Sequence, residues 1–203
     1  MRIGIALIVL CACDSSGGTS NGDAPIGDGK RIDSNACPCD APNNTSEPPE
    51  LAGMTADHNQ VRAAVDTTGI AGGALPQMQW DPALATLATN WVAQCQSAGG
   101  QLLDHSSTAY RTNAAGYAYV GENIYASSGT ATASGAVNLW ASEKASFTYP
   151  TTCAGTCGHY TQIVWRSSLH VGCAVHNCPA LGYPNTIVCN YGPGGNYGSQ
   201  PPY

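Results

Sequence analysis

The chain has 203 residues, enough for one hydrophobic core of ordinary size and a tail. Only 10% of the residues are charged and the net charge is −6, which argues against nucleic acid as the main partner because few cations are present to neutralise phosphates. Seven of the thirteen acidic residues lie between Asp14 and Glu50, so the rest of the chain is nearly neutral. The composition therefore predicts one folded domain behind an acidic segment.

Residues 1–12 have the pattern of an export signal. Arg2 supplies a positive charge, and the apolar run at 3–10 is too short to span a bilayer. The residues before Cys13 resemble a bacterial lipobox, in which cleavage leaves Cys13 as the lipidated first residue of a membrane-anchored protein. Cys11 departs from the usual lipobox pattern, so secretion without a lipid is the alternative. Either route predicts an extracellular or cell-surface location.

The ten cysteines have two interpretations. If cleavage and lipidation consume the two nearest the N-terminus, eight remain, and an even number in an oxidising compartment indicates disulfides. Zinc–thiolate binding is the alternative, since Cys153-x3-Cys157 and Cys173-x4-Cys178 have the spacing of metal ligands. Export favours disulfides.

Residues 13–50 are rich in Ser, Gly, Asp, Asn and Pro, which predicts a disordered acidic tether ahead of a folded domain at 51–203. Three helices are predicted in that domain. The first is capped by Thr55 and runs to residue 65, and the second starts at Asp81-Pro82 and carries apolar residues at helical spacing as far as Cys95. The third helix spans 132–144.

The last third of the chain changes to short apolar runs broken by Gly, Pro and Asn. These runs predict strands at Tyr160–Arg166, Val171–His176 and Thr186–Tyr191. Helices first and strands later, without β-α-β alternation, indicate an α+β fold in which helices cover an antiparallel sheet.

Glutamate is scarce in the domain, where only Glu122 and Glu143 occur. With His105, ahead of a long polar loop, and His159, at the mouth of a predicted strand, they are the candidates for chemistry. Gathered in one cleft, these four side chains would bind a divalent metal or act as acid–base groups. The alternative is that each histidine pairs with a carboxylate only to fix a loop. The remaining domain histidines are interpreted as structural or exposed: His58, His170 and His176.

Four short motifs resemble the signatures of the CAP superfamily, which comprises cysteine-rich secretory proteins, antigen 5 and plant pathogenesis-related class 1 proteins. They occur in family order across 51–203, as His58-Asn59-x-x-Arg62, Gly121-Glu122-Asn123-Ile124, residues 158–168 and residues 188–197. The resemblance implies an α-β-α sandwich, with a central antiparallel sheet between helical layers and a large cleft.

The same resemblance assigns residues within that fold. By motif position it places His105, Glu122, Glu143 and His159 in the cleft as a tetrad, and in some relatives the two histidines hold zinc. The family pattern also implies three disulfides, which are Cys153–Cys157, Cys173–Cys189 and Cys95–Cys178.

Members of the superfamily are described as sterol or lipid binders, ion-channel ligands, defence proteins and occasionally proteases. The leading hypothesis is a monomeric extracellular binding module with Zn²⁺ as the candidate cofactor. Its ligand would be a small apolar or sterol-like molecule or a component of the cell envelope. The alternative is a metal-dependent or acid–base hydrolase that uses the tetrad, and the sequence leaves turnover open while favouring binding. A third hypothesis, release of residues 193–203 as a peptide, competes with a docked C-terminal tail, which is favoured.

Overall fold

The computed structural model describes residues 47–203. The predicted export signal, the lipidation site Cys13 and the predicted tether as far as residue 46 lie outside the described residues. In the described part the α-helices are α1 (Met54–Ala63), α2 (Pro82–Val92), α3 (Thr108–Arg111), α4 (Ala133–Ser142) and α5 (Gly158–Ile163). The strands are β1 (Gln79–Trp80), β2 (Thr112–Ala114), β3 (Tyr117–Tyr119), β4 (Gly121–Ser127), β5 (Phe147–Thr148), β6 (Thr152–Cys153), β7 (His170–Asn177) and β8 (Asn185–Gly192).

A four-stranded sheet organises the fold, with strand order β1-β7-β8-β4. The pairs β7–β8 and β8–β4 are antiparallel, whereas the two-residue strand β1 runs parallel to β7 at one edge. Strand β4 forms the other edge. Two short hairpins, β2–β3 and β5–β6, lie outside this sheet. The α+β class is confirmed, and so are the strands predicted near β7 and β8.

Side-chain alternation along the strands divides the core into two layers. Ile187 and Tyr191 of β8 pack in the cluster that contains residues of α1, α4 and α5, while Val188 packs with α2 on the other face. On β7, a Cβ at Gly172 would collide with backbone atoms of α2. Glycine at this position therefore lets α2 lie directly on the sheet, and helices cover both faces.

The start of α1 differs from the prediction. The carboxylate of Glu47 accepts hydrogen bonds from Gly53 N (2.9 Å) and Thr55 N (2.8 Å), so the capping group comes from outside the helix. Thr55 lies inside α1 and is not its N-cap. A 3-10 helix at Pro49–Leu51 precedes α1 and buries Leu51 completely. The described structure thus includes residues 47–50, which the prediction assigned to the tether.

The other two predicted helices are confirmed, with shorter C-terminal ends. Asp81 caps α2, because its Oδ1 accepts from Ala83 N (2.7 Å) and Leu84 N (3.3 Å), and Pro82 occupies the first turn. Thr132 caps α4 by accepting from Gly135 N at 3.1 Å. A 3-10 helix, Glu143–Ser146, continues from the end of α4.

The strand predicted at Tyr160–Arg166 is wrong, because the chain forms helix α5 there. At its start the carboxylate of Glu143 accepts the N–H groups of His159 (2.9 Å) and Tyr160 (3.2 Å). At its end the buried guanidinium of Arg62 donates to the carbonyls of Ile163 and Trp165, both at 2.8 Å. Burial, with a smaller effect of the Arg166 charge, lowers the pKa of Arg62 to about 10, which leaves it protonated at neutral pH. These long-range contacts outweigh the β-branched composition of the segment.

The six cysteines of the described residues form disulfides and not the metal site that their spacing allowed. Cys173 pairs with Cys189, and Cys178 pairs with Cys95, so the Cys173-x4-Cys178 spacing corresponds to no shared site. Cys153 pairs with Cys157. All three pairs are those that the family resemblance implied.

The C-terminal tail is docked. Pro202 O accepts a hydrogen bond from Arg166 N at 2.6 Å, and the Tyr203 ring stacks on Tyr149 with a centroid distance of 5.3 Å. Within 47–203, every helix is too short or too polar to cross a membrane.

Candidate functional site

Side chains at the start of edge strand β4 face both helical layers. Glu122 and Asn123 are consecutive in an extended strand, so their side chains lie on opposite faces of the sheet. Glu122 shares its face with Ile124, which packs in the α2 layer. Asn123 projects into the layer of α1, α4 and α5. The predicted site residues are divided between these two faces.

On the α2 face, Glu122 binds His105 and its neighbour. Glu122 Oε1 accepts hydrogen bonds from His105 Nδ1 (2.7 Å) and Ser106 N (2.9 Å), and Oε2 accepts from Ser106 Oγ (2.7 Å). The Glu122 side chain is 1% exposed, whereas that of His105 is 55% exposed. Burial raises the pKa of Glu122, but the hydrogen bonds from His105 and Ser106 outweigh burial and hold that pKa below its usual value. Glu122 is therefore an ionised carboxylate that fixes the His105 ring.

On the opposite face, Glu143 binds His159. Its Oε1 lies 2.6 Å from His159 Nδ1, and its Oε2 accepts the two backbone N–H groups that begin α5. The His159 ring also stacks on Trp140, with centroids 6.2 Å apart and ring planes inclined by 18°. His159 lies in the first turn of a helix, not at the mouth of a strand as predicted.

One cleft of about 320 Å³ is lined by both histidines and by Glu122. Each histidine uses Nδ1 for its glutamate, and Nε2 of neither ring forms a hydrogen bond with a residue in the described range. The structure therefore brings His105, Glu122 and His159 to one cavity, with Glu143 behind His159. In the described part of the chain, the three potential metal ligands whose donor atoms lie within 4.8 Å of one another are Cys95, His176 and Cys178, which are not tetrad members.

A buried hydrogen-bond network supports the His159 side of the cleft. His58 is fully buried, and its Nδ1 lies 2.7 Å from Met54 O, so Nδ1 carries the proton and Nε2 accepts from Tyr191 Oη at 2.8 Å. Asn123 Nδ2 donates to Tyr191 Oη (3.0 Å) and to His159 O (3.1 Å). Burial lowers the pKa of His58 to about 4, so the ring is neutral at ordinary pH. The structural interpretation of His58 agrees with these contacts.

Sequence reasoning missed several residues of the cleft. Arg111 lines it, and its Nη1 donates to Tyr119 Oη (3.1 Å) and Val120 O (3.0 Å). Ser106 and Asn123 adjoin His105 and Glu122 in sequence but were given no role. Asn123 lines the cleft, and Ser106 supports it through Glu122. Their adjacency in sequence was the available signal, but the contacts that give them a role are made to partners at least 16 residues away.

A second, more apolar groove lies beside the cleft. It has a volume of about 520 Å³ and is lined by residues 116–119, Pro193, Gly194 and Tyr197. Tyr119 lines both the groove and the cleft. The Tyr-rich loop therefore forms a concave surface next to the histidines.

Comparisons with known proteins agree on one family. The model of the cysteine-rich secretory protein family, CAP, matches residues 55–191. Pathogenesis-related protein 1 of Arabidopsis thaliana is 44% identical over 147 residues, which cover 72% of this chain and 78% of the plant protein. GLIPR1-like protein 1 of Homo sapiens is 39% identical over 150 residues, covering 72% of this chain but only 59% of the human protein.

Solved structures show the same fold. Schistosoma mansoni venom allergen-like protein 4 superposes with a TM-score of 0.62 at 24% identity, over 77% of this chain and 95% of that protein. NaASP2, whose crystal structure was determined with Zn²⁺, gives a TM-score of 0.57 at 28% identity, over 74% of this chain and 82% of that one. The α-β-α arrangement is thus common to all three.

Proposed function

Because the chain belongs to the cysteine-rich secretory protein (CAP) family, we propose that it is an extracellular binding protein whose cleft holds a zinc ion through His105 and His159. Its ligand would be a small apolar or sterol-like molecule or a component of the cell envelope, and the protein would act as a monomer. Three disulfides fit an extracellular location.

The observation that carries the zinc proposal is the shared arrangement of the two histidines. In each, a glutamate engages Nδ1, and both rings line one cavity. A carboxylate on Nδ1 fixes the tautomer and orientation of a histidine that binds metal through Nε2. Two such imidazoles are donors of a type that zinc takes, and zinc, when bound, would offer open coordination positions to a ligand. The presence of Zn²⁺ in the NaASP2 structure is consistent with this proposal.

The hydrogen bonds that the two glutamates already accept favour ligand binding over hydrolysis. Both oxygens of Glu122 accept hydrogen bonds from His105 and Ser106, and both oxygens of Glu143 are engaged at the start of α5. A general base needs a lone pair directed at the water that it activates. Carboxylates with both oxygens already engaged are better suited to positioning the histidines.

The tyrosine groove supports an apolar ligand. Its walls combine aromatic rings with Pro193 and Gly194, and it shares Tyr119 with the polar cleft. Ligand pockets typically combine apolar walls with a few placed polar groups. A ligand with an apolar body in the groove and a polar group at the cleft would use both surfaces.

Calorimetric titration of the full chain with Zn²⁺, disulfides intact, tests the proposal. We expect one zinc ion per chain in the wild type. The double variant His105→Ala/His159→Ala should lose more than about 100-fold in affinity, since even the loss of a group that only hydrogen-bonds to a metal ligand costs roughly 10–100-fold. His176→Ala, which removes an exposed histidine outside the cleft, is the matched control and should bind like the wild type.

Two results would contradict parts of the proposal. Equal zinc affinity in the wild type and the double variant would place the metal elsewhere. Turnover of any member of a peptide, ester and glycan panel, abolished by Glu122→Gln or Glu143→Gln while zinc binding persists, would replace the binding role with the hydrolase.

A further inference from the structure

A second set of potential metal ligands lies outside the cleft, at the end of strand β7. His176 and Cys178 are two residues apart, so their side chains lie on the same face of the strand, the face that α2 covers. Cys95 follows the end of α2 and meets them there. The two sulfurs and a ring nitrogen of His176 all lie within 4.8 Å of one another. His176 is exposed and makes no hydrogen bond within the described part of the chain.

The backbone around these residues is held together independently of the disulfide. Gly182 N donates to Gly100 O and Tyr183 N donates to Gln101 O, both at 3.0 Å, which joins the segment after Cys95 to the segment after Cys178. Cys178 N also donates to Pro184 O at 2.7 Å. Both sulfurs lie close to Val92 O, at 3.7 and 3.6 Å. Opening of the S–S bond would therefore leave the two cysteines side by side on the folded domain.

We propose that, when the Cys95–Cys178 disulfide is reduced, Cys95, Cys178 and His176 form a binding site for zinc or another soft divalent metal ion. Two thiolates and one imidazole are a ligand set that zinc takes in proteins, with a fourth position open to water. Metal–ligand distances of roughly 2.0–2.3 Å need donor atoms about 3–4 Å apart. The donor atoms already lie within 4.8 Å of one another, which is close to that spacing.

The two states of the site exclude each other. A dithiol reductant transfers two electrons and two protons to the Cys95–Cys178 bond, giving two thiols and a cyclic disulfide of the reductant. Binding of one divalent ion then releases the two thiol protons and forms two metal–sulfur bonds and one metal–nitrogen bond. Because the same two sulfurs serve both bonds, metal protects the thiols from oxidation, and oxidation expels the metal.

Cobalt(II) is the probe, since its thiolate complexes absorb in the near-ultraviolet and its complexes with histidine and carboxylate alone do not show that band. The full chain, with its four N-terminal cysteines changed to serine (Cys11, Cys13, Cys37 and Cys39), is reduced with a dithiol, freed of reductant without air and titrated with Co²⁺. We expect a charge-transfer band that saturates at one ion per chain and disappears when Zn²⁺ is added. The oxidised protein should show no band, even if cobalt occupies the tetrad.

Cysteine and histidine variants distinguish cobalt binding at this site from cobalt binding by the other thiols of the reduced chain. Cys95→Ser/Cys178→Ser should abolish the band, and Cys153→Ser/Cys157→Ser, the matched control, should retain it. His176→Ala, at an exposed position, should weaken Co²⁺ binding at least tenfold. The proposal is overturned if Cys95→Ser/Cys178→Ser absorbs as strongly as its parent or if His176→Ala binds with unchanged affinity. Loss of the near-ultraviolet circular dichroism of the parent on reduction would also overturn it, because the site requires the folded backbone.

Discussion

The two halves of the cleft each join one histidine to one glutamate, but they are built in different ways. In the His105 half the carboxylate is buried and the histidine is exposed, with side-chain exposures of 1% and 55%. In the His159 half the corresponding values are 14% and 28%, and the histidine also stacks on Trp140 and begins a helix. The orientation of His105 thus depends mainly on one buried charge, whereas that of His159 is shared among several contacts.

Lowering the pH should have the largest effect on the difference between the two halves, because the hydrogen-bond network that supports His159 includes the buried ring of His58. The folded-state pKa of His58 is about 4, below the ordinary 6.5, so the unfolded state binds more protons between these values. Its contribution to stability is complete above pH 6.5 and falls as the pH drops toward 4, by about 3 kcal/mol in all. Denaturant unfolding at a series of pH values measures the slope.

His58→Gln should remove that part of the pH dependence. If the variant does not fold, an NMR titration of wild-type His58 serves instead. A midpoint near the ordinary value would contradict the expectation.

Neutralising the glutamates one at a time sharpens the comparison. Glu122→Gln should lower the free energy of unfolding by about 2–3 kcal/mol, because a buried carboxylate that accepts three hydrogen bonds is replaced by an amide that presents a donor to them. Glu143→Gln should cost about 1 kcal/mol. This carboxylate is more exposed, so water can satisfy part of the hydrogen bonding that is lost with the amide. Chemical unfolding measures both, and equal losses would show that the two halves are alike.

Removing one hydroxyl should have an effect as small as that of Glu143→Gln. Ser106→Ala removes the 2.7 Å hydrogen bond to Glu122 Oε2 and should cost about 1 kcal/mol, because Ser106 is buried. Ser128→Ala, at an exposed position, is the matched control and should change stability by less than about 0.5 kcal/mol. An effect of Ser106→Ala no larger than that of the control would show that the hydroxyl does not secure Glu122.

Local signals predicted those parts of the fold that local contacts determine. Helix α2 was predicted because Asp81 caps it within its own first turn, and β7 and β8 followed from their apolar runs. Helix α5 was mispredicted because its two ends are satisfied by Glu143 and Arg62, the latter about a hundred residues away. Periodicity in a short segment carries no information on such partners.

Sequence signals predicted the candidate site only in part, for the same reason. Scarcity of glutamate and the family motifs identified the four tetrad residues, but they did not indicate which histidine takes which glutamate. That pairing depends on Glu122 and Asn123 lying on opposite faces of edge strand β4, and β4 was not among the predicted strands. The roles of Ser106, Arg111 and Tyr119 likewise follow only from the folded geometry.

Glu47 has a mechanical consequence. Its carboxylate accepts hydrogen bonds from the backbone of Gly53 and Thr55 at the start of α1. A pull applied at residue 47 would therefore load these two hydrogen bonds together with the buried side chain of Leu51. The two hydrogen bonds would yield before Leu51 leaves the core, and the disulfide-linked sheet would yield last.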